Sequence, residues 1–185
     1  MYAKEMVRQS LPLFILCGIG GIIAGSTFSV MVELFQKIPG LIVIIPAIIA
    51  MRGNISTAFG SRLGSAYHLG IIDADNLWNK ELKENVIGSL ILSFLVSILV
   101  GVLAYITTVL FFNINPDPVK LIFIVLLAGI ISAVILTLMT IIIIYAVFKR
   151  GYDPDNITGP ALATFGDIVT MICIFGSAVF VEVIL

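Results

Sequence analysis

The sequence predicts an all-α integral membrane protein whose chain crosses the bilayer five times. Its 185 residues are 60% hydrophobic and only 11% charged, and their mean hydropathy is +1.19. Soluble domains carry about a quarter charged residues, so this chain has too few polar side chains to cover a surface in water. A membrane span needs about 20 residues, which leaves room for about five spans and short connections. We therefore expect one transmembrane domain over residues 1–185, with no cytoplasmic regulatory domain and no nucleic-acid partner.

Apolar runs between polar connections give the predicted spans, at about 10–34, 39–66, 86–112, 119–148 and 158–184. The first run holds four glycines, which favour close helix contact: Gly18, Gly20, Gly21 and Gly25. Trp78 and the mixed charges after it indicate an interfacial segment before the third span. The fourth span is rich in Ile, Leu and Val, so we expect it to face lipid over much of its surface. In the fifth, Thr158 is a plausible cap and Pro160 is tolerated in the first turn.

The second run differs from the others because it passes into a stretch of small and polar residues over 51–66. Arg52 and Arg62 lie within this stretch, together with Gly53, Asn54 and several serines and glycines. Exposed to lipid, such residues would be costly, and irregular backbone at membrane depth is tolerated only inside protein or beside water. We therefore expect this part of the second span to face protein or water.

Basic residues predict an N-terminus inside the cell and a C-terminus outside. With that orientation most basic residues fall on the cytoplasmic side: Lys4, Arg8, Arg62, Lys80, Lys83, Lys149 and Arg150. Lys37 and Lys120 fall outside, and Arg52 is ambiguous. This asymmetry follows the positive-inside rule, and we expect a multi-pass protein of the plasma membrane.

Asp167 is the strongest candidate for an ion site. It lies near the middle of the fifth span, where a carboxylate costs about 2.5–3.5 kcal/mol on insertion scales and indicates function by default. Small or hydroxylated residues lie one turn before and after it on the same face: Ala163, Thr164 and Thr170. Bulky apolar residues occupy the other face. The alternative is a structural ion pair between Asp167 and Arg52 or Arg62.

Other candidates are weaker. The Gly53-Asn54 pair offers an amide oxygen and a break in helix regularity, although a packing or capping asparagine is an equal alternative. Glu33 closes the first span and could attract cations at a pore mouth, or be merely solvated. Asp153, beside the last span, could concentrate cations or stabilise the helix N-terminus.

The chemistry around Asp167 favours a hard divalent cation. Carboxylate, hydroxyl and carbonyl oxygens suit magnesium, calcium or manganese, whereas zinc and copper favour histidine and cysteine. Magnesium usually keeps several of its waters, so a site with few protein ligands could hold it through its hydration shell. A two-fold axis would bring two copies of Asp167 together, and two-fold dimers are the commonest oligomers.

Two segments resemble the signatures of the MgtE-type magnesium transporters. The first is Pro46-(x6)-Gly53-Asn54 followed by Ser61-Arg62-Leu63, and the second is Asp153-Pro154-Asp155-Asn156-(x3)-Pro160-(x6)-Asp167. Both are more similar still to the related eukaryotic magnesium solute carriers, and the resemblance covers essentially the whole chain.

This resemblance implies a homodimeric pore built from the second and fifth spans, with Asp167 binding a hydrated Mg²⁺ on the two-fold axis. It places Ala163, Thr164, Gly53, Asn54 and Asn156 near the pathway. Mn²⁺ and Co²⁺ stay open as further substrates. The eukaryotic relatives carry two such units in one chain, so this unit must pair with itself or with a similar half. A channel and a sodium-coupled exchanger both fit.

Two other functions are weighed against transport. A membrane assembly subunit would use the glycine-rich spans only for packing. The second alternative is an intramembrane aspartyl protease, because the pairs Tyr152-Asp153 and Gly166-Asp167 are similar to the motifs of those enzymes. The two carboxylates would then lie on the order of 15–20 Å apart along the axis at 1.5 Å per residue, whereas a dyad that shares a proton needs them about 3 Å apart.

Overall fold

The structure, a computed structural model, describes residues 2–72, 78–150 and 154–185, and of residues 2–6, 9, 10 and 154–157 it describes the backbone alone. Within these ranges the chain forms six helices and no strand. They are α1 (Tyr2–Val30), α2 (Val32–Lys37), α3 (Leu41–His68), α4 (Lys80–Phe112), α5 (Pro118–Lys149) and α6 (Pro154–Ile184).

Five of these helices are long and apolar enough to cross a membrane: Leu11–Val30, Leu41–His68, Lys80–Phe112, Pro118–Lys149 and Thr158–Ile184. The predicted all-α fold with five spans is confirmed. The first predicted span was one run to residue 34, but the helix breaks at Met31 and the short α2 follows. Gly40, which has a φ of +91°, then allows the turn into α3.

Polar side chains fix where two of the spans begin. The side chain of Asn79 accepts a hydrogen bond from the backbone N–H of Leu82 at 2.9 Å, so α4 starts at Lys80, earlier than predicted. Asp117 accepts from the backbone N–H of Val119 at 2.8 Å, and Pro118 occupies the first turn of α5.

The expectation that the fourth span faces lipid over much of its surface is met only in part: α5 lies in the middle of the bundle, yet large apolar side chains such as Ile131, Leu138 and Ile142 are exposed. It packs against α3, α4 and α6, whereas α1 packs chiefly against α6. Half of the apolar segment of α5 is buried, against 22% for α4 and 11% for α1. Small residues such as Ala128, Gly129 and Ala133 are fully buried and let the neighbouring helices approach. Apolar composition alone does not distinguish a protein neighbour from lipid.

A column of small residues along one side of α4 forms the contact with α3 and α5. Its members recur every three or four residues and are all buried: Ser89, Ser93, Ser97, Gly101, Ala104 and Thr108. Three of their hydroxyls donate to a carbonyl one turn earlier, at 2.6–2.8 Å. These three hydroxyls therefore have their hydrogen-bond partners within α4. The small side chains of the column let α3 and α5 approach α4 closely.

Candidate ion-binding site

One side of α3 is polar and uncovered. Asn54, Thr57, Ser61 and Ser65 are exposed and recur every three or four residues, and we refer to them as the polar face of α3. The opposite side of the helix is buried in the bundle. A row of polar side chains at membrane depth must contact protein or water, because lipid satisfies none of their hydrogen bonds.

The contact between α3 and α6 fixes which residues lie at the same depth. A Cβ atom on Gly60 would lie 2.9 Å from Cδ1 of Leu162 and 3.5 Å from Cγ2 of Thr158, so Gly60 faces the residues around position 160. Two spans separate α3 from α6, so the two helices cross in opposite directions. Gly53 lies seven residues before Gly60, and Asp167 lies seven residues after position 160. At 1.5 Å per residue, both steps are about 10 Å. Gly53 and Asn54 therefore lie level with Asp167.

Asp167 is half-buried and forms no ion pair with Arg52 or Arg62. Among the residues that the structure describes, the ion pairs join Lys80 with Glu84 and Lys120 with Glu182. Arg52 is instead fully buried and bonded to Ser93, and Arg62 is exposed. The structural ion pair weighed from the sequence is therefore absent from this part of the chain.

The neighbours of Asp167 on α6 divide into open and covered positions. Ala163, one turn earlier, is exposed. The hydroxyl of Thr164 donates to the carbonyl oxygen of Pro160 at 3.0 Å. The methyl group of Thr164 packs against Gly20 of α1 so closely that a Cβ atom at position 20 would clash with it. Thr170, one turn later, is fully buried and its Oγ1 has no hydrogen-bond partner. Within one chain, the uncovered side of α6 next to Asp167 is therefore the side that carries Ala163.

Of the remaining predicted positions, the structure describes the side chain of Glu33, and it is not brought to Asp167. Glu33 is exposed on α2. It lies thirteen residues after Gly20, which is the residue of α1 that contacts Thr164 near Asp167. Asp153 lies outside the described residues. Asn156 belongs to α6, but its side chain is outside the described part of the structure.

A cavity between α3 and α6 adds residues that the sequence analysis did not assign to a site. Its volume is about 300 Å³. Its walls are mostly hydroxyl groups and glycines, with one histidine: Thr57, Gly60, Ser61, Gly64, Ser65, His68, Thr158, Gly159 and Leu162. The recurrence of small polar residues every three or four positions after Asn54 is the signal that could have identified this surface.

The donor atoms suit an ion that arrives with its water. In the described ranges no three His, Cys, Asp or Glu residues come together as a metal cluster. One chain supplies a single carboxylate, an amide at the same depth and a row of hydroxyls. Such a sparse, all-oxygen set can hold a hydrated magnesium ion but not a fully stripped one.

Comparison with known proteins gives a family and a set of relatives. The model of the MgtE family, described as a divalent cation transporter, matches residues 45–177. Solute carrier family 41 member 2 of Homo sapiens is 30% identical over 175 residues, which are 90% of this chain and 30% of that protein. Solute carrier family 41 member 3 of Rattus norvegicus is 24% identical over 173 residues, 89% of this chain and 36% of that protein. The chain thus spans about a third of the length of these curated relatives. No solved structure matches it.

Proposed function

Because the chain belongs to the MgtE family of divalent cation transporters, we propose that it carries Mg²⁺ across the plasma membrane past Asp167. The path runs between α3 and α6. The observation that carries this proposal is the polar face of α3, which is uncovered in one chain and begins, at Asn54, at the depth of the acidic residue of α6. Mn²⁺ and Co²⁺ are the rival substrates.

The chemistry of the path supports magnesium more than a softer metal. The carboxylate of Asp167, the amide of Asn54 and the hydroxyls of the cavity are all hard oxygen donors. The cavity, with a volume of about 300 Å³, has room for an ion together with bound water. Ala163 is small and exposed and leaves space beside Asp167, so the carboxylate can contact the water shell of the ion.

A second copy of the chain completes the path in this proposal. The polar face of α3 needs a partner that is not lipid, and a two-fold dimer covers it with its own equivalent. The dimer also brings two Asp167 carboxylates to one axis, which matches the charge of a divalent cation. The N-terminus is inside and the C-terminus outside, in agreement with the positive-inside distribution of Lys and Arg. A similar half from another chain is the alternative partner.

The decisive variants for this function are at Asp167. Magnesium flux is measured with an internal magnesium-sensitive dye in proteoliposomes that contain wild-type, Asp167→Asn or Asp167→Glu protein. We expect flux in the wild type, none in Asp167→Asn because the carboxylate charge is lost, and partial flux in Asp167→Glu. All three should have the mass of a dimer in detergent.

Equal flux in the wild type and Asp167→Asn would remove Asp167 from the mechanism. Absence of flux in every protein, with the dimer intact, would favour a membrane assembly subunit, or half of a heterodimeric transporter, over this proposal. Competition by Mn²⁺ or Co²⁺ in the same assay tests the choice of substrate.

A further inference from the structure

Arg52 carries a buried positive charge that the proposed path does not use. Its side chain is 0% exposed near the middle of α3. Nη1 donates a hydrogen bond to Oγ of Ser93 at 2.5 Å, while Nε and Nη2 have no hydrogen-bond partner. No carboxylate oxygen of the described residues lies within 4.0 Å of it. A guanidinium does not deprotonate in proteins, so the charge is permanent.

A buried charge without a counter-charge is unusual in a membrane helix. Arginine near the centre of a span normally pairs with an acid or reaches towards the interface, because an uncompensated charge there is costly. Arg52 does neither, since it is enclosed by the bundle and held by α4 through Ser93. Within the central part of the described spans, the one acidic side chain is Asp167.

Arg52 lies at the depth of Asp167 but on the far side of α3 from the ion path. The register between α3 and α6 places position 52 opposite position 168. Asn54 follows two residues later, which is about 200° around the helix. Packed helices have axes about 8–10 Å apart, and the side chain of Arg52 extends from the far side of α3, so the guanidinium lies on the order of 15 Å from the carboxylate.

At that distance the charge acts on an ion bound to Asp167. Coulomb's law with an effective dielectric constant near 20 gives a repulsion between a divalent ion and Arg52 worth roughly tenfold to hundredfold in affinity at about 15 Å. An ion site on a conduction path has to release its ion as readily as it takes it up.

We propose that Arg52 is a fixed positive charge behind the wall of the ion path that weakens cation binding at Asp167 and so allows rapid release. This inference rests on the proposed function. Arg52 touches neither the path nor the ion, so it is a positioning residue that acts through Asp167. Removal of its charge should tighten cation binding and slow maximal transport, whereas a purely structural role would change neither in this way.

The test separates the charge of Arg52 from its hydrogen bond. Magnesium binding is measured by isothermal titration calorimetry on purified dimers, and concentration-dependent flux is measured in proteoliposomes. Arg52→Met and Arg52→Gln remove the charge, and each should lower the dissociation constant for Mg²⁺ by about tenfold or more and lower the maximal flux. Arg52→Lys keeps the charge and should stay within about twofold of wild type.

Variants of Ser93 test the same idea with Arg52 intact. Ser93→Asp supplies a counter-charge and should tighten magnesium binding as Arg52→Met does, whereas Ser93→Ala removes only the hydrogen bond and should not. The proposal is overturned if Ser93→Asp binds magnesium as weakly as the wild type, or if Ser93→Ala tightens magnesium binding as much as Ser93→Asp does. This comparison decides the question even if neither neutral variant of Arg52 folds. Asp167→Asn is the separate control, because binding that survives in it refutes the proposed site rather than the role of Arg52.

Discussion

At the scale of single residues, the proposed ion site combines Asn54 of α3 with Asp167 of α6. Asn54 is exposed on the polar face of α3, and Asp167 is half-buried on α6 at the same depth. An amide and a carboxylate together provide hard oxygen acceptors without enclosing the ion. The pair therefore suits an ion that passes with most of its water shell in place.

Replacement of Asn54 by leucine should stop transport without unfolding the protein. Asn54→Leu removes the amide at this depth and puts an apolar side chain in the path, where a hydrophobic constriction excludes water, so we expect magnesium flux to fall about tenfold or more. Asn54→Gln keeps the amide and should retain more flux. Thermal unfolding in detergent should be unchanged in both. Wild-type flux in Asn54→Leu would place the path elsewhere.

The sequence identifies some of these residues better than others. Asp167 is conspicuous because a carboxylate in the middle of a span is costly, and the structure places it in the predicted helix. Thr170 was assigned to the same face by helical periodicity, but it is fully buried in the chain. Periodicity gives the angle of a side chain around its helix and not the neighbour that covers that angle. Arg52 shows the same limit, since its burial depends on α4.

At the scale of helices, close approach depends on small residues at fixed places. Gly101 of α4 faces the backbone of α5, since a Cβ at this position would lie 3.0 Å from the Cα atom of Ile122. Backbone atoms cannot move aside as a flexible side chain can. Gly88, on the same helix, has nothing within 4 Å of such a Cβ atom.

These two glycines provide a matched pair for stability. Gly101→Ala should force α4 and α5 apart and destabilise the protein by about 1–3 kcal/mol, as overpacking does. Gly88→Ala should leave stability unchanged or raise it by up to about 1 kcal/mol, because alanine is the better helix former and has space there. Thermal unfolding of the purified protein in detergent compares them. Similar losses in both variants, or none in Gly101→Ala, would mean that the contact between α4 and α5 is looser than the structure has it.

The number of membrane spans followed from the sequence, whereas the packing of the helices did not. Five apolar runs predict five spans because a span needs about 20 apolar residues. Lipid and a neighbouring helix are equally apolar, so the richness of α5 in Ile, Leu and Val did not reveal that half of its apolar segment is buried in the bundle. Its buried small residues, Ala128, Gly129 and Ala133, were the better signal, because small residues mark helix contacts in membranes.

At the scale of the whole molecule, the described part of the bundle includes a surface within the spans that does not suit lipid. The outer surfaces of α1 and α4 are apolar, as expected for helices in contact with acyl chains. The polar face of α3 and the adjoining cavity are different, because both present hydroxyl groups. A dimer that closes around this surface would shield its hydroxyl groups from lipid and enclose an ion path. The dimer and the orientation stay predictions. The sequence pattern of one chain indicates that a surface must be shielded from lipid, but it does not identify the protein that shields it.

The central claim is that the polar face of α3 lines a water-filled path in the bilayer, and cysteine accessibility tests it most directly. Single cysteines replace Thr57 or Ser61 on this face, or Leu99 on α4, in a protein whose native Cys17 and Cys173 are alanine. Leu99 is the control because it is 54% exposed but lies on an apolar surface. A charged, membrane-impermeant thiol reagent is then applied to proteoliposomes, with and without Mg²⁺.

The account predicts that the cysteines at Thr57 and Ser61 react, that Mg²⁺ slows their reaction, and that the cysteine at Leu99 does not react, since thiolates form in water and not in lipid. Cysteines on α3 that are as unreactive as the one at Leu99 would contradict it.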